Sequence, residues 1–263
     1  MLVRSRLFAL LFAALTTSAW IVLWMWDGGP YARYLRHASW TELPLLGAIC
    51  REVPGASVTL AALLHSAAWL LMIAAMMLPT AFPLLDTFRR MTSKRENWRT
   101  LLAFLIVGYA TAWALFGLVV HGFDAALHRV ADQLPTLLAD GWLIGAAMVA
   151  LAGVYQFSSL KHRCLDKCGS PLMFITEHWR GRSARRESFL LGMSHGAFCI
   201  GCCWALMLLM FAVGTGSVGW MLALGAIMAA EKNFRWGRLI GKPLGVALIA
   251  WSVWIVARHA HIA

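Results

Sequence analysis

An all-α, polytopic transmembrane helix bundle is the fold this sequence predicts, and three observations predict it. The 263-residue chain is 60% hydrophobic and only 13% charged, with a mean hydropathy of +0.69, a composition outside the range of ordinary soluble domains. Its apolar residues are gathered into charge-free runs about as long as the ~20 residues a helix needs to cross a hydrocarbon core. Its basic residues fall on alternate loops. Eighteen of the 23 Lys and Arg lie on one set (two before the first run, five at Arg89–Arg99, seven at Lys161–Arg186, four at Lys232–Lys242), and five lie on the other.

The spans are expected near residues 7–26, 59–80, 101–121, 142–160, 190–213, 217–231 and 243–257, within a single integral membrane domain covering 1–263. The first run, Leu7–Trp26, follows Arg4 and Arg6 and is too long for a secretory h-region, so a retained signal anchor is expected. Val53–Leu85 is longer than one crossing and contains Pro79, which leaves the carbonyl of Ala75 without its helical partner. Thr100–Phe123 and Gly141–Leu160 are the next two runs. Ser188–Ala230 has no Asp, Glu, Lys or Arg, and the turn-like Gly214–Ser217 divides it into two spans. Pro243–Ala257 is the shortest. The charge alternation places the N-terminus in the cytoplasm and the C-terminus outside, which requires about seven spans. Trp20, Trp24, Trp26, Tyr31, Trp98, Trp142 and Trp236 suit interfacial belts. The net charge of +11 is thereby explained by a surface facing anionic lipid, and no nucleic-acid motif accompanies it. A multi-pass protein of a bacterial cytoplasmic membrane is expected.

The chemistry is concentrated in Met193–Met210, MSHGAFCIGCCWALMLLM. At about 100° per residue a helix places His195, Cys199, Cys202 and Cys203 within one arc of roughly 100°. Imidazole and thiolate are soft ligands suited to copper(I), zinc and iron–sulfur centres. Entering from the cytoplasmic side near Ser188, the helix would carry His195 about 10 Å and Cys203 about 22 Å into the bilayer at 1.5 Å per residue. Polar groups at such depth are costly and seldom idle. The plain structural alternative is that Gly192, Gly196, Gly201 and the cysteines are small residues for close helix packing.

A second pair, Cys164 and Cys168, lies one helical turn apart just past the fourth run, with His162 nearby. The expected topology puts this pair at the membrane face from which the His195 helix enters, where thiols stay reduced. Met72, Met76 and Met77 precede Pro79 and offer thioether sulfur, although methionine in such helices is more often packing material. Glu231 is read as a proton or metal group if buried and as half of a surface pair with Lys232 if not. His65 and His121, alone in their spans, are read as structural.

Together MMLPT at Met76–Thr80, CLDKCGSPL at Cys164–Leu172, SHGAFCIGCCWALM at Ser194–Met207, Trp220–Met221 and Glu231–Lys232 resemble an uncharacterised family of predicted metal-binding integral membrane proteins, classed as a domain of unknown function. The likeness runs from roughly Ala62 to Trp254, and its most specific string is His-Gly-x-x-Cys-x-Gly-Cys-Cys-Trp. The resemblance implies metal binding. It also implies a Met-Asn pair shortly before the tryptophan of the sixth span, where this chain has Gly216 and Ser217.

The leading expectation is copper(I) handling: storage, transfer, or delivery to a membrane metalloenzyme. His195, Cys199, Cys202 and Cys203 would be the main ligands and Cys164 and Cys168 an access or completing pair, with Met76, Met77 and Glu231 as further candidates. Copper(I) is the favoured metal, with zinc, an iron–sulfur centre or non-covalent haem as alternatives. Besides the lipid bilayer, the implied partners are a metallochaperone or a membrane metalloenzyme. The alternative function is a membrane thiol oxidoreductase using Cys199-x-x-Cys202 and the Cys164/Cys168 pair. The expected topology, which points the loop pair at the reducing cytosol, argues against it. No Ser-His-Asp triad, phosphate-binding loop or nucleotide fingerprint marks another enzyme class.

Overall fold

A computed structural model of the chain describes residues 2–28, 58–133, 141–213, 218–234 and 236–260. Every secondary-structure element among them is helical: α1 (Leu2–Asp27), α2 (Val58–Met76), a 3-10 turn (Pro79–Ala81), α3 (Phe82–Thr92), α4 (Trp98–Gln133), α5 (Gly141–Tyr155), α6 (Ser159–Gly169), α7 (Pro171–His178), α8 (Ala184–Val213), α9 (Val218–Asn233) and α10 (Gly237–Ala260). The all-α bundle expected from the sequence is the architecture observed. By length and composition α1, α4, α8 and α10 are each long and apolar enough to cross a membrane. Two bent pairs also qualify, α2 with the segment Pro79–Thr92 (46°) and α5 with α6 (62°). The count among the described residues is thus four to six. The helix at the expected sixth span, α9, has 16 residues, about 24 Å of helix against a core of about 30 Å. The turn at Gly214–Ser217, the loop carrying Tyr31, Arg33, Arg36 and Arg51, and the side chains of His65 and His121 lie outside the described residues.

Both bends have a chemical cause. After Met76 the helix widens by one π-type step, with Met77 N and Leu78 N both donating to Ile73 O, and Pro79 then opens a 3-10 turn. A proline supplies no N–H, so the regular ladder fails there. The Met77 carbonyl takes its bonds from side chains, Thr80 Oγ1 at 2.8 Å and Tyr109 OH at 3.2 Å. The second bend follows Tyr155, where Gln156–Ser158 form a turn and the Ser158 side chain caps α6 by accepting from Lys161 N at 3.1 Å. In α10, by contrast, Pro243 lies inside the helix, which begins before it at Gly237.

The bundle is organised on α8. Helix α4 lies along it so closely that a Cβ at Gly192 would meet the Leu105 carbonyl oxygen and one at Gly108 the Phe189 carbonyl oxygen, the small-residue contact by which apolar helices associate. Helices α5 and α6 also pack on α8, α10 packs on α5, and α2 joins α4 to α1. Phe88, Trp113, Phe174, Met77 and Leu191 fill the interior, while Leu118, Val119, Val253 and Trp254 face outward, as an apolar surround requires.

The connection into α8 is held by one carboxylate. Glu187 accepts from the backbone N–H groups of Arg180 (2.8 Å), Gly181 (2.5 Å), Arg182 (3.1 Å) and Ser183 (3.0 Å), satisfying the amides of the turn that leads into the helix. Gly181 occupies the left-handed region at φ 75°, a conformation glycine adopts without strain. Around α6 the surface is basic: Arg163 and Arg238 are exposed and Lys167 half-buried. Arg238 pairs with Asp166, and Lys167 pairs with Glu177 at 2.7 Å. That exposed pair holds the Glu177 carboxyl below its usual range, chiefly through the Lys167 hydrogen bond.

Candidate metal centre

The helical spacing of α8 turns its histidine and cysteines inward together. His195, Cys199, Cys202 and Cys203 are all buried, and none of the described cysteines forms a disulfide. Cys202 Sγ and Cys203 Sγ both donate to the Cys199 carbonyl, at 3.1 Å and 2.8 Å. Cys203 Sγ lies 3.8 Å from Met77 Sδ, so the break in the helix before Pro79 delivers a thioether to the cluster. Met76 is equally buried but faces Gly225 of α9, and Met72 is core.

The loop pair reaches the same place. The bend after Tyr155 swings α6 across α8, which places Cys168, one turn on from Cys164, on the side of Cys202. Cys164 Sγ abuts Gly201 at a point that any side chain there would fill, and Tyr155 OH donates to the Gly201 carbonyl. Cys168 is half-buried where the cysteines of α8 are buried, which makes it the outermost sulfur of the group. Sulfur atoms some thirty positions apart in sequence therefore share one neighbourhood.

Two buried cations adjoin it. Lys232 Nζ donates to Cys199 Sγ at 2.8 Å and to Thr80 Oγ1 at 3.2 Å. On the other side of Cys199 Sγ stands Tyr109 OH at 3.1 Å. Lys161 makes a bidentate pair with Glu231, 2.7 Å and 2.8 Å, and also bonds Gln156 Oε1. Glu231 is buried as the functional reading required, but its oxygens are taken by Lys161 and it does not pair with Lys232. His195 lies between the rings of Tyr109 (6.0 Å) and Phe174 (5.3 Å), and its Nδ1 is buried without a hydrogen-bond partner.

Among the described residues no three His, Cys, Asp or Glu side chains already stand in a ligating arrangement. The reason is visible in the hydrogen bonds: the Cys202 and Cys203 thiols are turned onto their own helix, and a shared ion would require them to rotate away from the Cys199 carbonyl. The donor set is soft: it offers thiols, one thioether and one unpartnered imidazole nitrogen, and among the described residues the carboxylate beside it, Glu231, is paired with Lys161.

Residues 66–255, most of the chain, match the family described as "PpoB2: Copper chaperone". The chain belongs to this family. The match supports copper handling as the general activity and agrees with the metal-handling resemblance read from the motifs. No curated protein and no solved structure matches the chain.

Four residues at the centre, Lys232, Lys161, Thr80 and Tyr109, receive no site role from the motifs, although Thr80 and Lys232 stand within them. A signal for Lys232 exists, because Met221, Leu224, Gly225 and Met228 form the buried stripe of α9 and positions 231 and 232 continue it. Lys161, likewise, is the first charge after an apolar run and falls on the face of α6 that also carries Cys164 and Leu165. Tyr109 carries no comparable mark.

Proposed function

We infer that this member of the PpoB2 copper-chaperone family accepts copper(I) at a thiol site within its helical bundle and passes it to a membrane metalloenzyme. Copper(I) is the cargo. Cys168, the most accessible sulfur, receives it; Cys202, its immediate neighbour, takes it inward; Cys199 and Cys203, with Met77 and His195 at hand, hold it. Exchange between neighbouring soft donors proceeds without a free ion and without a change of oxidation state, since each new Cu–S bond forms as an old one breaks. The half-buried position of Cys168 and the depth of Cys203 give the path a direction. In this reading the site lies beneath the inner leaflet, Cys164 supports the Gly201 crossing beside it, and Glu231 acts on the site through Lys161.

The observation that carries the reading is the meeting of α6 and α8 at Cys164 and Gly201, beside Cys202, together with the approach of Cys203 to Met77 from the α2 break. Its test is metal analysis of the purified chain after anaerobic loading with copper(I). The wild type should retain copper, and the variant combining Cys199→Ser, Cys202→Ser and Cys203→Ser should retain little. Equal and negligible copper in both would remove the proposal.

A further inference from the structure

We propose that Lys232 is the fixed counter-charge of the thiol site and that it selects a monovalent cargo. The proposal rests on the copper reading above and adds to it the basis on which the ion is chosen.

The charges around the cluster can be balanced from the contacts. Lys161 and Glu231 face each other with both carboxylate oxygens within 2.8 Å of the ammonium, so that pair contributes no net charge. Asp86 and Asp166 are held by arginines elsewhere. Lys232 is different: its ammonium is buried and its partners are a thiol sulfur, Cys199 Sγ, and a hydroxyl, Thr80 Oγ1. No carboxylate pairs with it among the described residues. A buried cation without a counter-ion is costly, so the cavity favours an occupant whose own charge is minus one.

A monovalent ion held by two thiolates carries that charge. Its arrival from a carrier balances as follows: two carrier S–metal bonds break, two site S–metal bonds form, and the two protons leaving the site cysteines pass to the carrier thiolates, with no oxidation or reduction. A divalent ion on the same two thiolates is neutral and leaves Lys232 uncompensated; it reaches minus one only by recruiting a third thiolate, which the monovalent ion does not need. Lys232 also explains why Cys199 is the sulfur nearest the ammonium and why Thr80, which follows the Pro79 break, turns its hydroxyl there. It is a positioning and charge-balancing residue and need not touch the metal.

The experiment uses the full chain in detergent under anaerobic, reducing conditions. Copper(I) affinity is read by competition with a chromophoric chelator, and silver(I) and cadmium(II) are read by equilibrium dialysis. The wild type should take copper(I) and silver(I) and discriminate against cadmium(II). Lys232→Met should weaken copper(I) binding by about tenfold or more, the scale on which an opposite charge at this distance acts, and should shift preference toward cadmium(II). Lys232→Arg should restore the wild-type order. If Lys232→Met does not fold, Lys232→Gln is read in the same assay, and the wild-type preference for monovalent ions stands as an independent measurement. A Lys232→Met or Lys232→Gln protein with wild-type copper(I) affinity overturns this inference alone, as does a wild type that holds cadmium(II) as firmly as copper(I). A wild type that binds no more copper(I) than the triple serine variant overturns the copper reading and this inference with it.

Discussion

At the scale of single residues, the centre is a set of soft donors whose neighbours are as specific as the donors. Tyr109 OH touches both Cys199 Sγ and the Met77 carbonyl, so it fixes two parts of the site at once. Removing that hydroxyl in Tyr109→Phe should lower copper(I) affinity about 10- to 100-fold, the usual effect of an outer-shell partner, as measured by chelator competition. The buried Lys161–Glu231 pair makes a different demand. Lys161→Met alone leaves a buried carboxylate unpaired and should destabilise the protein by about 3–5 kcal/mol, whereas Lys161→Met combined with Glu231→Leu should recover most of that loss. Thermal unfolding in detergent checks both. The α8 donors were legible in the sequence because cysteine and histidine stand out in an apolar run and their spacing alone sets their common face. Lys232 was not, because an adjacent Glu–Lys pair at a helix end looks like an ordinary surface pair until tertiary packing separates the two and buries each against a different partner.

At the scale of elements, two broken helices bring the site together. Pro79 announced the first break, and the sequence located it, but it did not show that the Met77 oxygen would also leave the ladder and be satisfied by Thr80 and Tyr109. The second break had no proline to mark it. Gln156–Ser158 turn because Ser158 caps a new helix, and only that 62° bend explains how Cys168 reaches Cys202. The α4–α8 seam is the rigid counterpart. Gly192→Leu would force the two backbones apart against the Leu105 carbonyl, and overpacking of this kind costs about 1–3 kcal/mol. The expected result is a lower unfolding temperature together with weaker copper retention, since Tyr109 rides on α4 and Cys199 on α8.

At the scale of the whole molecule, the all-α bundle followed from composition and run length. The number of crossings did not, because a bend within a span and a short helix such as α9 are decided by packing and not by hydropathy. Charge alternation gives an orientation that can be checked directly: a single cysteine placed at Arg180 in a background lacking the native cysteines should react with an impermeant maleimide only from the cytoplasmic face. Labelling from the opposite face would reverse the assigned orientation. The basic rim around α6 has a further effect on traffic. Arg163 and Lys167 share α6 with Cys168 and Arg238 pairs with Asp166 of that helix, so Asp166 and Glu177 offset the three cations only in part. Such a fringe repels a naked cuprous ion and draws in an acidic escort. If copper(I) enters at Cys168 as proposed, this charge favours a delivered ion: hand-over from an acidic escort should slow as salt is raised, while uptake of unescorted ion should quicken.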